Sequence, residues 1–137
     1  MLIIGGPVYN SAAKYFQEKG LTFLKFNVPD DIKDKSQRVS VEVVKGQYKN
    51  RIITTTEKND LGILERFTDD KTGATIILAA GARTNGTKAA VYYLVHHWND
   101  LQRKYDSKSF ALCLRCHGRT TDPEGYRKAS EYLEMSN

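Results

Sequence analysis

Apolar positions in this chain come in short runs divided by glycine, proline and charged turns, with helical spacing in two or three places. Leu2-Ile3-Ile4 is an unbroken apolar run, the pattern of a buried parallel strand, and Gly5-Gly6-Pro7 ends it. Asn10 or Ser11 then caps a helix carrying Ala12, Ala13, Tyr15, Phe16 and Lys19, which stops at Gly20. Leu21–Phe26 reads as a second strand, and Val28–Gln37 as a polar loop.

The middle of the chain changes period. Val39, Val41 and Val43 alternate with Ser40 and Glu42, as in a half-buried strand. Gly46–Asn50 is a turn, Arg51–Thr56 a β-branched return strand, Lys58-Asn59-Asp60 a second turn, and Leu61–Phe67 a third strand. Residues 38–67 therefore read as an antiparallel β-meander. After a turn at Asp69–Gly73, Thr75–Ala80 is the most hydrophobic strand and Thr87–Tyr105 the longest helix. Ala90, Tyr93, Leu94, His97, Leu101 and Tyr105 share one face of that helix. Ser109–Cys116 alternates as a last strand, and Asp122-Pro123-Glu124 starts a final amphipathic helix with Tyr126, Ala129, Tyr132 and Leu133.

These elements predict one α/β domain over residues 1–137. Its class is a Rossmann-like or flavodoxin-like three-layer fold, with a mostly parallel sheet and the meander of residues 38–67 as an insert. Composition agrees with a globular domain: 40% of residues are hydrophobic and 27% charged. No apolar run is long enough for a membrane-spanning helix. The start lacks a signal-peptide pattern, which together with two cysteines read as free thiols favours a cytoplasmic location. The net charge of +5 comes from scattered Lys and Arg, a pattern of solvated surface that argues against nucleic-acid binding.

The candidate chemistry sits at two glycine loops, Gly5-Gly6-Pro7 and Gly81–Thr87. In open α/β sheets such loops lie beyond the carboxyl ends of parallel strands, where ligands bind. Glycine admits close approach of backbone N–H groups, and the start of the long helix offers free donors and a positive dipole end. The expected ligand-binding residues are Gly5, Gly6, Asn10, Gly81, Arg83, Asn85, Gly86 and Thr87, and the expected ligand is a small anion such as a nucleotide. Neither loop has the Gly-x-Gly-x-x-Gly or Gly-Lys-Ser/Thr spacing of the common nucleotide motifs. The same residues are also what any strand–helix junction needs for turning and capping.

Ile3-Ile4-Gly5-Gly6-Pro7 followed by Asn10 resembles the Gly-Gly-Pro-x-x-Asn opening of uncharacterised prokaryotic Rossmann-like domains, some of them in archaeal surface-layer proteins. Ala80-Gly81 and then Gly86-Thr87-Lys88-Ala89-Ala90 are similar to their second motif, and Asp60-Leu61-Gly62-Ile63-Leu64 to the strand before it. The resemblance implies a Rossmann-like frame and no particular chemistry. The Gly-Gly-x-Gly-Thr loop of lysine-decarboxylase-like nucleotide-binding proteins is a more distant likeness, and the Glu that follows it there is missing here.

Cys113-Leu114-Arg115-Cys116-His117 matches the c-type haem attachment pattern. It falls in an alternating strand, however, and alternation sends the two thiols to opposite faces, which disfavours haem, zinc and disulfide alike. No cofactor and no metal are expected. His96 or His97 would have to fold back to complete a zinc site, and His97 reads as a packed helix residue. Tyr9 and Ser11 flank the first loop, and Tyr48 and Trp98 are aromatics of stacking type. Asp60, Glu65, Asp69 and Asp70 read as carboxylates solvating turns. No nucleophile or acid–base pair stands out, so Asn10 and Arg83 are expected to position a ligand rather than to react. Two readings follow: a domain binding a small anion at the glycine loops, or a non-catalytic structural or interaction module. In either case a homodimer or a larger parent chain is a further expectation.

Overall fold

The computed structural model describes residues 1–7, 10–27 and 39–137; Val8, Tyr9 and the expected loop Val28–Gln37 lie outside them. In chain order the elements are β1 (Leu2–Ile4), α1 (Ser11–Glu18), β2 (Leu24–Asn27), β3 (Ser40–Val43), β4 (Ile52–Thr54), β5 (Asn59–Thr68), β6 (Thr75–Gly81), α2 (Thr84–Tyr105), β7 (Phe110–His117), a 3-10 turn (Gly125–Lys128) and β8 (Ser130–Ser136). The strands form a five-stranded sheet of order β1-β6-β5-β7-β8 and a separate three-stranded sheet of order β2-β3-β4.

This architecture corrects the expected Rossmann-like or flavodoxin-like α/β class. Strands dominate, and among the described residues β1 with β6 is the one parallel pair of the larger sheet. The meander does not exist as an insert. Its first two strands join β2 in the small antiparallel sheet, β3 lying between β2 and β4, while its third becomes β5 at the centre of the large one. The break comes at Glu57-Lys58, and Asn59 and Asp60 already belong to β5 rather than to a turn. The expected last helix is a single 3-10 turn followed by β8. Tyr126, Ala129, Tyr132 and Leu133 imitate helical spacing, but Leu133 and Met135 alternate into the core. A register shift opposite Cys113/Leu114 makes room for Tyr132 as an extra residue.

Each face of the large sheet has its own cover. Strand alternation sends Leu61, Ile63, Phe67, Leu78, Ala111 and Cys113 to one side, where they pack with Phe16 of α1 and with Leu24, Val41, Val43 and Ile53 of the small sheet. Leu64, Ala79, Leu112 and Leu114 face the other side and pack under Ala90, Leu101 and Tyr105 of α2. The carboxyl end of the helix is tied twice. Glu134 of β8 accepts from Lys104 Nζ and Tyr105 OH, each at 2.6 Å. Arg66 of β5, stacked on Phe110, donates to Gln102 and to the backbone carbonyls of Asp106 and Lys108 beyond the helix. Among the described residues no helix is long and apolar enough to cross a membrane.

Candidate functional site

The carboxyl ends of β1 and β6 lie side by side, so the two glycine loops share one rim of the large sheet. Gly5 N–H donates to Ala79 O at 2.9 Å, and a Cβ on Gly6 would stand 3.2 Å from Gly81 O. At Gly5 the chain turns with φ +115°, a conformation that favours glycine. The loops are neighbours, but the chain itself uses most of their polar groups.

Asn10 is the cap of α1. Its Oδ1 accepts from the Ala12 and Ala13 N–H groups at 3.0 and 3.1 Å, and its Nδ2 donates to Ile4 O. Helix α2 starts at Thr84, three residues earlier than its sequence pattern implies, so Asn85, Gly86 and Thr87 lie in its first turn. Its cap position, Arg83, makes no side-chain capping bond. That role falls to Asp60, reaching across from the start of β5. One carboxylate oxygen of Asp60 accepts from the N–H groups of Leu61 (2.8 Å) and Arg83 (3.1 Å), the other from Gly86 N–H at 2.7 Å. The Arg83 guanidinium lies 3.8 Å from the same carboxylate and donates to the carbonyls of Thr56 and Asn59.

Asn85 is fully buried and donates to His117 O and Asp122 O at 2.9 and 3.0 Å, holding the β7–β8 connection against the helix. Its Oδ1 has no partner. The Thr87 hydroxyl points back to Arg83 O in its own helix. The glycines here make close packing possible. A Cβ on Gly86 would fall 2.0 Å from Leu61 O, one on Gly81 2.0 Å from Thr87 N, and one on Gly62 2.4 Å from Gly86 O. Without side chains on these three residues, the first turn of α2 can rest directly on β5 and β6.

The positive end of α2 thus already carries an anion from its own fold. Burial pushes the Asp60 carboxyl above its usual range, while the bonds to Gly86 and Leu61, the Arg83 charge and the Arg83 N–H pull the other way. Asp60→Asn keeps one acceptor oxygen but sets an amide N–H₂ against a backbone donor. It is expected to lower stability by about 1–3 kcal/mol in urea unfolding, with far-UV circular dichroism unchanged.

Two open clefts lie at the opposite end of the sheet. One, of about 360 Å³, is lined by Tyr48, Lys104, Tyr105, Lys108 and Glu134; the other, of about 340 Å³, by Arg66, Phe67, Ile77, Trp98 and Gln102. Glu134 and Arg66 there are held by the internal bonds described above.

Cys113 and Cys116 are buried, unpaired and on opposite faces of β7, as alternation implies. Burial raises both thiols to about 12, so neither is a thiolate near neutral pH. Among the described residues no group of three His, Cys, Asp or Glu side chains could hold a metal. His97 is exposed rather than packed: the helix turns it outward, its ring 4.2 Å from that of Tyr93.

The residues that sequence reasoning misjudged are on β5. Asp60 and Glu65 look like turn carboxylates, yet both are buried, and Arg66 beside them is buried too. Their flanks held a signal: charged residues interrupt an otherwise apolar ten-residue strand, which in a central strand demands internal partners. Comparisons of the chain with protein-family models, with curated proteins and with solved structures give no match.

Proposed function

We propose that this chain is a non-catalytic structural or interaction module. The observation that carries this reading is Asp60. Two of the donors that would receive a small anion at the start of α2, the Arg83 and Gly86 N–H groups, are taken by a carboxylate of the fold, and the Asn10 and Arg83 side chains are likewise engaged internally. A ligand phosphate would have to displace a buried carboxylate held by three N–H groups and then sit beside its charge. Burial also keeps Cys113 and Cys116 as thiols rather than reactive thiolates near neutral pH.

A broad panel of nucleotides and sugar phosphates is the test. A ligand at a hundred times its dissociation constant adds about 2.7 kcal/mol to stability, well within reach of thermal unfolding. The expected result is no rise in melting temperature with any compound. A dose-dependent rise that is lost in Arg83→Ala would overturn the module reading in favour of anion binding at Gly5–Asn10 and Gly81–Thr87.

A further inference from the structure

We propose that two copies of this chain associate through β1, pairing antiparallel across a twofold axis at Ile3 to join two five-stranded sheets. This rests on the interaction-module reading and names its partner surface. β1 is an end strand, and among the described residues nothing pairs with its outer edge. Met1 O and Gly5 N–H bond inward to β6. In a parallel ladder the backbone groups of Leu2 and Ile4 then point outward. A twofold at Ile3 sets Leu2 of one copy opposite Ile4 of the other and satisfies all four outward N–H and C=O groups of each strand.

The side chains support the same partner. Leu2 is in register with Ile77 and Ile4 with Ala79, on the α2 side of the sheet. Helix α2 packs mainly over β5, β6 and β7, leaving Leu2 54% and Ile4 50% exposed. Val91, Val95 and Trp98 follow at helical spacing along the neighbouring flank of α2; Val95 is 69% exposed, and Trp98 lines a cleft with Ile77. The result is an apolar corner beside a strand edge that is unpaired among the described residues.

Charge does not oppose a second copy. The stretch Met1–Pro7 carries no charged side chain, and its one charge, the Met1 ammonium, donates to Thr75 O; a twofold at Ile3 sets it opposite the uncharged Gly5 of the other copy. The other edge of the sheet contrasts with it: β8 carries Glu131, Glu134 and a register shift, the devices that keep an edge from pairing. Pairing of three residues with a small apolar corner buries less than a standard interface of about 1,600 Å², so a weak, reversible dimer is expected.

Sedimentation velocity from low micromolar to millimolar concentration tests this. The wild type is expected to shift from monomer to dimer, and Ile4→Lys to remain monomeric with a nearly unchanged melting temperature, since that side chain is half exposed. Ile52→Lys, at an exposed site on the small sheet, is expected to dimerise as the wild type does. In hydrogen exchange the Leu2 and Ile4 amides become protected only as concentration rises. A wild type that is monomeric throughout, or a dimer that persists in Ile4→Lys with both amides unprotected, overturns the β1 pairing. Neither result touches the module reading, which the phosphate panel decides separately.

Discussion

Gly86→Ala is expected to cost roughly 3 kcal/mol or more of folding stability, the upper end of what one added methyl group does in a packed interior. The new Cβ would lie 2.0 Å from Leu61 O and 3.2 Å from the Asp60 carboxyl carbon. The nearest obstacle is backbone in the central strand, not the end of a flexible side chain. Relief requires α2 to lift from β5, and lifting it stretches the 2.7 Å bond from Gly86 N–H to Asp60 and opens the packing of Ala90. One methyl group thus removes a contact, a cap and part of a core layer together. Gly118→Ala is the comparison, because its Cβ would meet Glu57 O at an ordinary 3.5 Å; it is expected to change stability by less than about 1 kcal/mol. Urea unfolding of both variants measures the difference. Equal, small effects would mean that α2 does not sit on β5 as described.

The second large effect concerns pH and Glu65. This side chain is fully buried between the two sheets. One carboxyl oxygen accepts from the N–H groups of Phe23 and Leu24 at 2.7 and 3.0 Å, and the other has no partner. Burial raises the group to about 8 from an ordinary 4.5, against the pull of the Phe23 and Leu24 N–H groups and of Lys45. Lys45 and Cys113 are the titratable groups that act on it or feel it. The folded state therefore keeps a proton that the unfolded chain has released between about pH 4.5 and pH 8. Stability falls as pH rises through that window and levels off above it, by an expected total of roughly 3–5 kcal/mol at about 1.4 kcal/mol per unit. Asp60, also raised by burial, contributes with the same sign. Glu65→Gln cannot ionise and keeps an acceptor for the two N–H groups, so its stability is expected to be much flatter between pH 5 and pH 8. Denaturant unfolding across that range, for wild type and variant, checks the slope; matching slopes would remove Glu65 as its source.

Much of the local structure was legible. Val39, Val41 and Val43, the β-branched run after Arg51, the apolar Thr75–Ala80 and the long helix appear near their expected positions. Asn10 caps α1, and Gly20, with φ +71°, stands just past its end. Partner choice was not legible. Ile52–Thr54 and Leu61–Phe67 look like consecutive strands of one meander, but a strand's own residues do not state which sheet it joins. The distinction lies in Gly62, which leaves room for α2, and in Glu65, which reaches back to β2; both depend on contacts far away in the chain. The last element failed for a different reason. Seven residues carrying one bulge shift the period of two enough to resemble the spacing of a helix.

The rim was legible as a place, but not which of its polar groups the chain itself would use. Glycines, a threonine and a helix start mark a junction whether a ligand or a carboxylate fills it. Asp60, 26 residues before Gly86, is the residue that separates the two cases.

The parallel pairing of β1 with β6 also bears on the order of assembly. Strands β5 and β6 are joined by a short turn and β7 follows one helix later, so they can meet soon after they are made, whereas Leu2 must find Ile77 across more than half of the chain. During synthesis the first strand leaves the ribosome long before its inner neighbour exists, and it stays an unclaimed apolar thread until the sixth strand arrives.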